Sequence, residues 1–144
     1  MIKSKHAVEV FNESFNCSQA VLSVFSEELG VDKKTAFKIA SAFGGGIARH
    51  GETCGAVTGA LMAIGLKSWN PDLTPEEAKM HVYAMSNRFI KEFVKRNNTI
   101  KCKELLDADL STEEGRTKMK EENLSEKVCE KAVSDAADIL SKMF

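Results

Sequence analysis

Apolar residues recur along most of the chain at the three- and four-residue spacing that places them on one face of a helix. Alternating β-branched residues, which would indicate strands, are scarce. The pattern predicts a first helix near residues 3–15, with Ala7, Phe11 and Phe15 on its inner face. Similar stretches follow up to the end of the chain. We therefore expect an all-α fold, a compact irregular bundle of about five to seven helices.

Capping signals indicate where several of these helices begin. Asn16, with a glutamine three residues later, forms a capping-box pattern and makes Cys17 the first helical residue. Thr53 in the same role makes Cys54 the first residue of a later helix. Ser125 is the predicted cap of the last helix.

The clearest start signal introduces the longest predicted helix. Thr74 is its N-cap, a proline follows, and Glu77 occupies the capping-box position. Its apolar positions are predicted to face the core, and they are Tyr83, Phe89, Ile90, Phe93 and Val94.

Small residues form a stripe along the helix that follows Cys54. Gly55, Gly59 and Ala63 recur every four residues and leave a smooth surface that another backbone can approach closely. The remaining faces of this helix are apolar, so we expect it to be central and buried. The stripe fits packing within the chain or across a homodimer.

Composition limits the classes of function. The 144 residues are 43% apolar and 28% charged with a formal net charge of −1, which predicts one domain over residues 1–144 and no nucleic-acid partner. The longest apolar stretch, near residues 55–66, is about half the ~20 residues of a membrane-spanning helix. The first residues show no apolar signal core. We therefore expect a cytoplasmic protein whose thiols are kept reduced.

The four cysteines are the candidate chemistry. Cys17 and Cys54 are both predicted at helix N-termini, where the helix dipole lowers the pKa of a thiol. Arg49 and His50 precede Cys54 and can add to this effect, although a single histidine is a weak candidate for a metal ligand. Because no C-x-x-C pair occurs, neither a zinc ribbon nor a thioredoxin-like motif is indicated.

The segments that contain the cysteines resemble a known family. The stretches "FNCSQAVL", "FGGGIARHGETCGAVTGALMAIGL", "CKELL" and "VCEKAVSDAADIL" are similar, in this order, to the C_GCAxxG_C_C family of redox-active proteins. The resemblance implies that Cys17, Cys54, Cys102 and Cys129 are the family's four cysteines. It further implies an iron–sulfur cluster as one cofactor, because the family resembles the cluster-bearing part of split-Soret cytochromes c.

Three functions remain open for these cysteines. In the first, they converge on one redox site, where Cys54 attacks and Cys17 or another partner resolves a disulfide, or where all four hold an iron–sulfur cluster. In the second, they bind zinc in a structural or regulatory module. In the third, they are unrelated buried residues of an interaction module.

Further assignments accompany the redox interpretation. We assign Arg49, Gly55 and Gly59 to binding of a cofactor at the site. The expected partner is a redox protein or a small thiol. The sequence does not decide whether the protein forms a homodimer.

Overall fold

The computed structural model describes residues 2–144, which form eight α-helices and no strand. The all-α expectation is confirmed, with one helix more than the expected upper number. The helices are α1 (Lys3–Phe11), α2 (Cys17–Ser26), α3 (Lys33–Ile39), α4 (Gly55–Ser68), α5 (Pro75–Asn97), α6 (Cys102–Leu106), α7 (Glu113–Glu121) and α8 (Glu130–Met143). No helix in this range has the length and apolar character needed to cross a membrane.

The buried apolar residues form two clusters. In the main cluster α2 packs along α4, and α1, α5 and α8 surround this pair. Its largest fully buried side chains are Phe89, Phe93, Leu22, Ile64 and Leu140. A smaller cluster lies under α6 and α7, and its buried members are Cys102, Leu106, Ala108, Leu110 and Leu124. Each of the four cysteines belongs to, or packs against, one of the two clusters.

Two capping boxes form as the sequence predicts. The Asn16 side chain accepts a hydrogen bond from the Gln19 amide at 2.9 Å, and the Gln19 side chain accepts one from the Asn16 amide at 3.0 Å. Thr74 and Glu77 make the same reciprocal pair at the start of α5. Cys17 is therefore the first residue of α2, as expected.

Two other predicted caps are wrong. Cys54, not Thr53, is the N-cap residue of α4, because Thr53 pairs with Lys101 in a short antiparallel bridge. Ser125 does not cap the last helix. It begins a π-helical turn, Ser125–Cys129, that leads directly into α8.

The buried face of α5 is narrower than its sequence indicates. Phe89 and Phe93 are fully buried, whereas Tyr83 is 53% and Val94 is 37% exposed. At roughly 100° per residue, these two exposed residues lie about 80–140° around the helix from the phenylalanines. Only one stripe of α5 reaches α4 and α8, and the predicted core face was too wide.

The small-residue stripe of α4 packs within the chain. A Cβ atom placed on Gly59 would lie 2.5 Å from the backbone oxygen of Ser18 in α2, and one on Gly55 would lie 3.0 Å from the Ser18 nitrogen. The two helix backbones therefore touch at these glycines. This contact positions the N-terminus of α2 beside the N-terminus of α4.

We expect Gly59→Ala to destabilise the protein by about 1–3 kcal/mol, because the added methyl group meets backbone rather than a movable side chain. Gly65→Ala is the matched control in the same helix, since nothing lies within 4 Å of its added Cβ atom. That control should stabilise by about 0.5–1 kcal/mol through helix propensity. Urea denaturation under reducing conditions measures both, and equal effects would contradict the close contact.

Candidate functional site

The four cysteines line a single cavity of about 750 Å³. Cys17 and Cys54 come from the main core, and Cys102 and Cys129 come from the smaller cluster. The cavity therefore lies where the two clusters meet. The sequence, which separates these residues by up to 112 positions, does not by itself bring them together.

The contact between α2 and α4 holds the first two cysteines together. A Cβ atom on Gly55 would lie 3.1 Å from the Cβ atom of Cys17. Gly55 directly follows Cys54, so the two cysteine-bearing helix ends meet at the only residue type that fits between them. Gly55 also lines the cavity.

Backbone hydrogen bonds bring Cys102 to the same place. The Cys54 amide donates to the Ile100 oxygen at 2.7 Å, and the Cys102 amide donates to the Glu52 oxygen at 2.7 Å. Cys54 directly follows Thr53, and Cys102 directly follows Lys101, the two residues of the antiparallel bridge. Side chains alternate between the faces of such a bridge, so these two project from one face, toward the cavity.

The loop before Cys54 has an unusual backbone. Residues 45–49 all have positive φ, including Ile47, Ala48 and Arg49, although the left-handed conformation costs a non-glycine residue about 1–2 kcal/mol. The Gly51 and Glu52 amides donate to the loop's own carbonyl groups and hold this turn.

Gly46 is required by the contact of this loop with the site. A Cβ atom there would lie 2.6 Å from the Cβ atom of Cys102. The glycine triplet therefore lets the loop close over the cysteines. Gly44, Gly45 and Gly46 all line the cavity.

Cys129 reaches the cavity from the π-helical turn before α8. This turn ends at Cys129, and the Glu130 amide donates to the Ser125 oxygen across it. An extra residue in a helical turn shifts the following side chains around the helix, and such turns are common at functional sites. Cys129 is only half-buried.

Burial opposes ionisation of two thiols. It raises the pKa of Cys54 to about 11, although the neighbouring Ala56 and Val57 amides act in the opposite direction. It raises the pKa of Cys102 to about 12, and repulsion from Cys54 and Cys129 adds to this effect. The expectation of a low pKa at Cys54 is therefore wrong, because desolvation outweighs the helix N-terminus.

Cys17 and Cys129 ionise as a pair. Their mutual hydrogen bond raises the pKa of Cys17 well above its ordinary value, and burial raises it further. The same hydrogen bond lowers the pKa of Cys129 despite the opposing effect of burial. The expected low pKa of Cys17 is thus wrong for that residue, and the pair instead stabilises one thiolate at Cys129 by a thiol donor at Cys17.

The remaining candidate residues lie at different distances from the cavity. Arg49 is exposed and lines the cavity. Gly59 lies deeper, against Ser18, and does not line it. His50 is exposed, with its ring Nδ1 3.1 Å from the Ile47 oxygen, and is absent from the lining.

One wall of the cavity was not predicted from the sequence. This wall is apolar and consists of Leu105, Leu106, Leu110, Met119 and Val128. The signal was the few apolar residues within the polar stretch around α7. The stretch of regularly spaced apolar residues was too short to reveal a second cluster.

The donor set suits some metal groups better than others. Within residues 2–144, no group of three or more His, Cys, Asp or Glu side chains could hold a metal ion as they stand. A tetrahedral zinc site needs four sulfur atoms about 2.3 Å from one centre, so this arrangement does not fit zinc. An iron–sulfur cluster is bulkier and spreads its four thiolate ligands around itself. The cavity presents one cysteine from each of four segments, and cysteine thiolates are the ligands that such a cluster takes.

Comparison with known proteins agrees with the cysteine pattern. The chain matches, over residues 15–143, the family described as "Putative redox-active protein (C_GCAxxG_C_C)". It is also 30% identical over 125 residues to an uncharacterized protein of Archaeoglobus fulgidus, a match that covers 81% of this chain and 83% of that protein. No solved structure matches the chain. The chain belongs to the C_GCAxxG_C_C family.

Proposed function

We propose that this protein carries out thiol–disulfide exchange at one cavity, with Cys17 and Cys129 as its redox pair. The observation that supports the proposal is the convergence of four cysteines on this cavity, two of which, Cys17 and Cys129, are close enough to shift each other's pKa. Two adjacent thiols can alternate between two thiols and one disulfide with little movement. Unrelated buried cysteines would have no reason to share one cavity wall.

Cys129 takes the attacking role in this proposal. Its pKa is lowered, which favours its thiolate form, and it is half-buried on the cavity wall, so its sulfur is accessible. Cys17 then resolves the mixed disulfide. Cys54 and Cys102, with pKa values of about 11 and 12, stay protonated at neutral pH and support the site without exchanging. The sequence predicted Cys54 as the attacking thiol, and this proposal assigns that role to Cys129 instead.

The remaining expectations fit this function. A reducing cytoplasm, where disulfides are transient and catalytic, is the proposed setting. A redox protein or a small thiol is the proposed partner. Because the glycine stripe of α4 is occupied by α2, a homodimer would need another surface.

An iron–sulfur cluster is the second candidate, favoured by the size of the cavity. Cys17, Cys54, Cys102 and Cys129 would hold it, and it would supply one-electron transfer. Cys54 and Cys102 are then ligands, a role that the thiol route does not give them. The raised pKa values of both thiols also favour a positively charged partner, because four buried thiolates would otherwise repel one another.

We expect mild oxidation with a small disulfide to remove two thiols per chain and leave no bound adduct. Cys129→Ser should prevent the reaction, because it lacks the attacking sulfur. Cys17→Ser should stop at the mixed disulfide, with one thiol lost and one adduct bound to Cys129, since an internal disulfide needs both sulfur atoms. Cys54→Ser is the matched control and should still lose two thiols. Thiol titration in denaturant and intact mass measure the result, and loss of the reaction in Cys54→Ser alone would contradict the assignment.

The cluster candidate predicts that anaerobic protein supplied with iron and sulfide binds both. Cys102→Ser should abolish this binding, whereas it should leave the two-thiol oxidation intact. Metal and acid-labile sulfide analysis, together with absorption spectroscopy, measures the binding. Failure of the protein to bind iron would contradict the cluster candidate. One bound zinc ion per chain, with unfolding on addition of a chelator, would instead establish a structural zinc site.

A further inference from the structure

A second, smaller cavity of about 360 Å³ adjoins the cysteine cavity. The two cavities share four lining residues, which are Arg49, Leu110, Met119 and Ser125. The smaller cavity adds Arg116, Lys120 and Asn123. A molecule held in it can therefore extend into the cysteine cavity.

The smaller cavity is electropositive. Its lining contains Arg49, Arg116 and Lys120 and no carboxylate. None of these three cations forms a salt bridge with the described residues. The Arg116 guanidinium donates to the Leu110 oxygen at 3.0 Å, which fixes it at the wall that both cavities share. Their positive charge is available to a ligand.

The charged residues of α7 line two different depressions. Arg116 and Lys120, four residues apart, line the smaller cavity. The carboxylates of the helix, Glu113, Glu114 and Glu121, line the other depression together with Lys118 and with Glu122 just after the helix. The chain is close to neutral overall, so this division concentrates positive charge where it adjoins the cysteines.

The smaller cavity also adjoins the proposed attacking thiol. Ser125, which both cavities share, begins the π-helical turn that ends at Cys129. Cys129 itself lines the larger cavity. One end of a small ligand can thus contact the cations while its other end faces Cys129.

We propose that the substrate is a small disulfide that carries carboxylates, bound by Arg116, Lys120 and Arg49 with its S–S bond in the cysteine cavity. This proposal rests on the thiol–disulfide function. The two cavities have the volumes of small-molecule sites, about 300–1,000 Å³, rather than the broad flat surface of a protein interface.

The chemical steps balance without a further reagent. The Cys129 thiolate attacks one sulfur of the substrate, whose S–S bond breaks, and the leaving thiolate takes up a proton. Cys17 then loses its proton and attacks the Cys129 sulfur of the mixed disulfide. The second substrate thiolate leaves and is protonated. Two electrons pass from the protein dithiol to the substrate, which becomes two thiols.

The test compares three small symmetric disulfides of different charge: dithiodipropionate, an anion; hydroxyethyl disulfide, which is neutral; and cystamine, a cation. The rate of oxidation of the reduced full-length protein is measured for each reagent. Each rate is expressed relative to that of the unsubstituted protein, which removes differences in leaving-group chemistry. The variants are Arg116→Gln with Lys120→Gln as a double substitution, and Lys79→Gln, an exposed position on α5 outside both cavities.

We expect the double variant to react about five- to tenfold more slowly with dithiodipropionate and at an unchanged rate with hydroxyethyl disulfide. Cystamine should react no more slowly than before. Lys79→Gln should change none of the three rates. Equal slowing with all three reagents, or no slowing with the anion, would overturn the proposal.

Binding of suberate separates this proposal from the function on which it rests. Suberate has the carboxylates and the length of dithiodipropionate but no S–S bond. Calorimetric binding that the double variant loses would support the anion site even if no reagent oxidised the protein, in which case the exchange function alone fails. Exchange with no suberate binding and no charge preference would overturn the anion site and leave the exchange function standing.

Discussion

The short antiparallel bridge between Thr53 and Lys101 is the interaction on which the site depends. It joins the segment before α4, which belongs to the main core, to the segment before α6, which belongs to the smaller cluster. Its backbone hydrogen bonds include both the Cys54 and the Cys102 amides. Without it, nothing else in residues 2–144 would fix the distance between these two cysteines so directly. The left-handed loop over residues 45–49 and its glycines complete the connection.

The position of the site between two apolar clusters decides its chemistry. Desolvation raises the pKa of Cys54 and Cys102, whereas pairing with Cys17 lowers the pKa of Cys129. Four similar residues thus differ in pKa because they differ in burial and pairing. A helix N-terminus, which both Cys17 and Cys54 occupy, is too weak to overcome the loss of water.

The sequence predicted local structure well because capping and periodicity are local. The boxes at Asn16 and Thr74 and the buried glycine face of α4 were all readable from neighbouring residues. The bridge at Thr53 and the π-helical turn at Cys129 were not, since each depends on partners or packing that the local pattern does not contain. The resemblance named the four cysteines, but their pairing and their pKa values required the packed structure.

The most direct test of this account is disulfide mapping of the full-length protein after mild oxidation. Proteolysis with thiols blocked, followed by mass spectrometry, identifies which cysteines are joined. The account predicts one disulfide between Cys17 and Cys129, with Cys54 and Cys102 recovered as free thiols. A disulfide that contains Cys54 or Cys102, or four thiols that resist oxidation, would contradict it.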